Sequence, residues 1–226
     1  MRFTARDLSV VIPVKDGESF VERAFKSVRK ISHDIEVVFV ESGSSDGSLI
    51  ECERLADTKT QVIHLEQPGV SRARNHGVFA AQGRIVTTLD ADDEMLPNRV
   101  SFLERRNWVD TELVIGCMEL GEGTESIYPM AIQKTLTKGL PMYADGALIF
   151  TKFGFMNLGG YKEDLQLAQN MDLILRAKKL GFTIIYTSEL FLIRHFHTKS
   201  ISYDREASAL ELFSSIRGNL RHRNWK

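Results

Sequence analysis

The chain is poor in cysteine, in charge of one sign and in long apolar runs. Its two cysteines, Cys52 and Cys117, lie far apart without ligand-like spacing. That excludes a disulfide framework and leaves the reduced thiols of a cytoplasmic protein as the reading. Twenty-nine basic against thirty acidic residues give a net charge of −1, so the basic surplus of a nucleic-acid binder is missing. No apolar run approaches the ~20 residues that cross a bilayer, and Met1 to Asp7 lack the apolar segment of a secretory signal. Neither glycine-rich phosphate cradle, G-x-x-x-x-G-K-[ST] or a strand leading into G-x-G-x-x-G, is present. Gly121-Glu122-Gly123 is a lone G-x-G and reads as a hairpin turn.

What is there is an ordinary globular composition, 43% hydrophobic and 26% charged over 226 residues, enough for one large domain. Leu8 to Val14 is a short apolar, β-branched run closed by Lys15-Asp16-Gly17 and predicts a buried parallel strand. Phe20, Val21, Ala24, Phe25, Val28 and Ile31 then recur at helical spacing. The alternation continues with strands at 35–40, 61–65 and 84–89 and helices at 49–56 and from Pro68-Gly69 to about Gln82, with Gly83 as the stop. A further helix runs from Pro97 to about Arg106. Repeated strand–helix alternation predicts a parallel sheet covered by helices, with ligands beyond the carboxyl ends of the strands. The loops at 13–17, 41–47 and 90–94 are therefore where a site is expected.

Asp90-Ala91-Asp92-Asp93 puts three carboxylates at the end of one buried strand. Capping the next helix needs one such residue. Three clustered carboxylates repel unless a cation pairs them, and oxygen ligands of this kind suit Mg²⁺ or Mn²⁺ shared with a substrate phosphate.

With these residues the chain resembles glycosyltransferase family 2, the inverting sugar transferases of GT-A fold. The resemblance runs from Leu8 to about Ser202. It is carried by Val11-Ile12-Pro13-Val14, by Val40 to Gly47, by Gly69-Val70-Ser71-Arg72-Ala73-Arg74-Asn75 and by Leu89 to Asp93. It implies one GT-A-like α/β domain with helices on both faces of a mostly parallel sheet. Residues 1–106 would form the nucleotide-sugar half, 107–202 a mixed acceptor and catalytic half, and 203–226 a helix and basic tail. It also implies that the Pro13–Val14 backbone flanks the base, that Glu41 contacts uracil or ribose, and that Arg74 helps hold the nucleotide. Asp90, with Ala91, would meet the ribose, and Asp92 would ligate Mn²⁺ or Mg²⁺ on the diphosphate. Glu41-Ser42 stands where the family usually has two aspartates, and an arginine on a helix is otherwise most often a surface residue.

Beyond Arg106, strands are expected at 113–118 and 146–150, with acceptor-side variation at 128–140. Leu158-Gly159-Gly160-Tyr161 resembles the family's glycine-glycine-aromatic turn before a helix at about 168–180 that Gly181 stops. There the family's Glu-Asp is replaced by Gln169-Asn170. The aspartate is the usual general base, and the Asn170 amide cannot take a proton from a hydroxyl. Asp172 and Asp145 are the remaining candidates. Asp172 lies four residues before Arg176, so a structural ion pair is the competing reading of it. Strands at 182–187 and 190–193 precede Arg194-His195-Phe196-His197, a segment resembling the family's basic-x-His stretch. By that match His197 joins the metal or diphosphate site, and Arg194 or His195 neutralises phosphate. Leu210, Phe213, Ile216 and Leu220 mark one face of a last helix, and its basic tail is a candidate for peripheral membrane contact.

The expectation is a metal-dependent, inverting transferase that moves a sugar from a nucleotide-diphosphate donor, a UDP-sugar favoured, to a glycan, lipid or peptide hydroxyl, with no nucleic-acid partner. The alternatives are a degenerate nucleotide-sugar binder without turnover, kept open by Gln169-Asn170, and nucleotidyl transfer, for which Pro13 to Gly17 is a poor phosphate loop.

Overall fold

A computed structural model describes residues 1–121, 145–165 and 168–195. Strands β1 (Leu8–Val14), β2 (Glu36–Ser42), β3 (Thr60–Leu65) and β4 (Ile85–Thr88) are parallel, β1 lying between β2 and β4. Helices α1 (Val21–Ile31), α2 (Ser48–Leu55) and α3 (Val70–Ala80) connect them. Alternate residues of a strand face opposite sides, and the core divides accordingly. Leu8, Val10, Ile12, Val37 and Phe39 pack with Val21, Ala24, Phe25 and Val28 of α1 and Cys52 of α2. Val11, Val38, Val40 and Val86 pack with Ala73 and Val78 of α3. Both faces of β1, β2 and β4 are buried, hence their continuous apolar runs.

The remaining described strands extend the same sheet. After β5 (Glu94–Met95) and α4 (Asn98–Glu104) come β6 (Glu112–Leu120), β7 (Leu148–Thr151), the short helix α5 (Lys152–Asn157), α6 (Gln169–Lys179) and β8 (Thr183–Arg194). The eight strands stand in the order β3-β2-β1-β4-β7-β6-β8-β5. β7 runs antiparallel to both β4 and β6, and this makes the sheet mixed.

Several expectations are corrected. The α3 helix ends at Ala80, capped by Ala81, so Gly83 is not its stop. The two strands expected at 182–193 are one, because the polar Thr187-Ser188-Glu189 is absorbed by register shifts against Ile115, Cys117 and Met118 of β6. The α5 helix was not foreseen. Its six residues are too few to show a period, and Thr151 starts it by accepting the Gly154 N–H at 2.9 Å. Gly181 does end α6 in the left-handed conformation, φ +78°. No helix among the described residues is long and apolar enough to cross a membrane. The expectations for 128–140, 203–226 and His197 lie outside the described residues, as does the side chain of Asp145.

Candidate functional site

The chain leaves β4 through Leu89, whose N–H donates to Val11, and turns at once, Asp93 N–H donating to the Asp90 carbonyl at 3.1 Å. The turn brings carboxylate oxygens of Asp90, Asp92 and Asp93 within 4.8 Å of one another. None of the three caps α4, because β5 intervenes and Pro97 holds the cap position. Burial pushes the Asp93 carboxyl well above the usual carboxylate range, Asp90 and Asp92 adding to the effect against Arg194. Asp90 goes the other way. Burial raises it, but Arg74 and Arg194 more than offset this and hold it low. Three crowded oxygen donors with surplus negative charge fit a hard divalent cation.

Arg74 is 3% exposed, which removes the surface-residue reading. It donates to Asp90 Oδ1 at 2.7 Å and lies over the Tyr161 ring at 5.7 Å. On the far side of the turn, the His195 N–H donates to Asp93 Oδ1 at 3.0 Å and its Nε2 lies 2.8 Å from Glu94 Oε1. A Cβ at Gly121 would come 2.2 Å from His195 Nδ1, so a larger residue there would displace the imidazole. Arg194 ends β8 in register with Leu120. Sequence reading missed Arg99, wholly buried on α4, which donates to Thr87 Oγ1 at 3.2 Å. Burial pulls its pKa down to about 9, against the pull of the Asp93 charge. Its helical spacing from Phe102 and Leu103 was the available signal.

At the other side, Val14 is buried, so β1 offers backbone there, beside the half-buried Pro13. Ala91 packs against the core. Glu41 is 1% exposed. Its Oε1 accepts the Ser44 N–H at 2.6 Å, and its Oε2 lies 2.5 Å from His64 Nδ1. Burial raises the Glu41 carboxyl, but the Ser44 and His64 hydrogen bonds bring it below its ordinary value.

In the second half of the chain, Gly159 and Gly160 take φ +76° and +69°, so the turn before Tyr161 is left-handed twice. Asn75 of α3 clamps that turn, donating to the Tyr161 carbonyl and accepting the Tyr161 N–H, both at 2.8 Å. Arg176 clamps it from α6, donating to the carbonyls of Leu158 and Gly160. Asp172 is fully buried, 2.6 Å from Arg176 Nε and 2.8 Å from Lys162 Nζ. Burial raises its carboxyl, but Lys162 and Arg176 outweigh that and keep it low. Of the two roles open to Asp172, this is the geometry of the ion pair: a sealed carboxylate with two cationic partners is a poor proton acceptor. Gln169 and Asn170 are buried at the start of the same helix.

The family model for glycosyl transferase family 2 matches residues 9–159. Glycosyltransferase GlyG of Streptococcus pneumoniae is 30% identical over 114 residues, 48% of this chain and 38% of that protein. The chain spans about a third of the length of the curated relatives it matches. Mannosyltransferase PcManGT from Pyrobaculum calidifontis, solved with GDP-Man and Mn²⁺, superposes with a TM-score of 0.76 at 18% identity, covering 97% of this chain and 65% of that one. TarS of S. aureus, solved with UDP-GlcNAc, gives 0.73 at 17%, covering 100% and 68%. These likenesses bear out the GT-A fold.

Proposed function

The chain belongs to glycosyl transferase family 2, and from that premise we propose that it transfers a sugar from a nucleotide-diphosphate donor to an acceptor hydroxyl, with inversion at the anomeric carbon. The observation that carries the reading is the Asp90–Asp92–Asp93 turn at the carboxyl end of β4, with Arg74 on Asp90 and Arg194 beside it. Solved structures of the same fold hold GDP-Man with Mn²⁺ and UDP-GlcNAc, which supports a nucleotide sugar as the ligand, a UDP-sugar favoured.

Asp92 and Asp93, with Asp90 at the ribose side, are the residues that would hold Mn²⁺ or Mg²⁺. When bound, such an ion neutralises charge on the departing diphosphate. Arg74 orients Asp90, and Arg194, with His195 beside it, adds positive charge near the carboxylates, so a leaving group of two phosphates meets cations on more than one side. Asp172 serves as the anchor of Arg176 and of the Gly159–Gly160 turn. The proton of the acceptor then falls to another carboxylate, and Asp145, at the start of the turn leading into β7, is the candidate.

The test is a panel of UDP- and GDP-sugars with Mn²⁺, read by release of nucleoside diphosphate with and without glycan, lipid and peptide acceptors. Transfer or donor hydrolysis that Asp92→Asn abolishes is the expected result. Nucleotide binding without turnover across the whole panel refutes the transferase reading.

A further inference from the structure

Glu41 is buried, and its carboxylate is turned to protein nitrogens. It is 1% exposed, and each of its oxygens already faces a protein nitrogen, Ser44 N at 2.6 Å and His64 Nδ1 at 2.5 Å. The partner is the accessible member of the pair: the His64 side chain is 50% exposed, that of Glu41 2%. His64 sits at the carboxyl end of β3, in register with Glu41, which is in turn in register with Val14, the last residue of β1. It therefore stands in the row where three parallel strands end, where open α/β sheets take their ligands. Among the described residues its ring makes no other hydrogen bond than the one through Nδ1.

We propose that His64, oriented by Glu41, reads the donor's nucleobase and selects one presenting a ring N–H, uracil or guanine, over one presenting a ring lone pair, cytosine or adenine. The inference rests on the nucleotide-sugar reading above. Glu41 is ionised, so the nitrogen facing it carries a proton. In a neutral imidazole that leaves the other nitrogen, Nε2, as an acceptor. Nε2 then accepts from uracil N3–H or guanine N1–H. Cytosine N3 and adenine N1 oppose it lone pair to lone pair. The glutamate thus acts as a positioning residue that fixes the tautomer.

The tautomer argument supplies its own test. In Glu41→Gln the amide oxygen stays on the Ser44 N–H, so the amide NH₂ turns toward His64 Nδ1. That makes Nδ1 an acceptor, moves the proton to Nε2 and reverses what the ring offers the base. Calorimetric titrations of UDP, GDP, CDP and ADP with Mn²⁺ into the full chain measure this. The wild type is expected to bind UDP or GDP about tenfold or more tighter than CDP and ADP, the scale of one buried hydrogen bond made against one opposed. Comparing UDP with GDP identifies which of the two bases is preferred. His64→Ala should bring all four within about threefold by losing affinity for the preferred base alone. Glu41→Gln should shift the preference toward CDP or ADP, and being nearly isosteric it tests the idea even if His64→Ala fails to fold. Unchanged discrimination in His64→Ala, an equal loss for all four nucleotides, or a wild type indifferent to the base overturns the assignment to His64 alone. A wild type that binds none of the four refutes the nucleotide-sugar reading along with it.

Discussion

Replacing Asp172 by asparagine separates a structural carboxylate from a catalytic one. The side chain is fully buried. Its nearer partner, Arg176, is only 16% exposed, whereas Lys162 is 46% exposed. Removing one member of a buried pair costs about 3–5 kcal/mol when the other is left uncompensated. Arg176 keeps the carbonyls of Leu158 and Gly160, so the lower end applies, and the half-exposed Lys162 adds no more than about 0.5 kcal/mol. A loss of about 3–3.5 kcal/mol follows. For a chain of this size about 1 kcal/mol moves the midpoint by roughly 2–4 °C, so differential scanning calorimetry should show a fall of roughly 6–14 °C. Nucleotide affinity with Mn²⁺ should hold below the transition, and any surviving protein should retain transfer. A midpoint within about 1 °C of wild type together with a 10²–10⁴-fold fall in transfer rate, the range of a lost general base, would mean that Asp172 is the base.

Other perturbations probe separate parts of the molecule. Asp92→Asn should weaken metal-dependent nucleotide binding by more than about 1 kcal/mol in calorimetry, with the unliganded midpoint steady or raised as crowded charge is relieved. Asn75→Ala strands both polar groups of Tyr161 and should cost about 2–3 kcal/mol in denaturant unfolding, an effect that Asn75→Asp only partly spares because the donor to the carbonyl is lost. Asp57 is held at about 2: burial raises it, and its hydrogen bond from Arg29 leads the groups that bring it down. Its folded value lies below the unfolded one, so its contribution is present above about pH 4 and lost as pH falls toward 2. Because Asp57 is 36% exposed, screening reduces that contribution to about 1 kcal/mol. Asp57→Asn should therefore destabilise at pH 7 and have little effect near pH 2 in urea titrations.

The first half of the fold was legible because β1, β2 and β4 are buried on both faces. Unbroken apolar runs such as Val37 to Val40, separated by amphipathic helices, leave few other arrangements. The Asp90–Asp93 cluster was legible for a similar reason, three charges packed against an apolar strand. Less could be read where the determinant is remote in sequence. The pairing of Glu41 with His64 depends on the register of β2 against β3, and Arg99 looked like any helical arginine until the fold brought it to Thr87 of β4. The join between 187 and 190 was hidden because bulges let a strand carry polar residues that read locally as a turn.

The strand order also bears on when, during synthesis, the site comes into being. β4, made early, stays an open edge until β7 is available more than sixty residues later, and such an edge is a template for wrong partners. Among the described residues β5 pairs only with β8, Glu94 against Ile193 and Met95 against Leu192, and Asp93 waits for the N–H of His195, 102 positions away. The carboxylate turn is thus encoded in the first half but tied down by the last described strand. A nascent chain halted before Thr183 would carry the three aspartates without the anchor that fixes their spacing, so the tied turn arrives late and all at once.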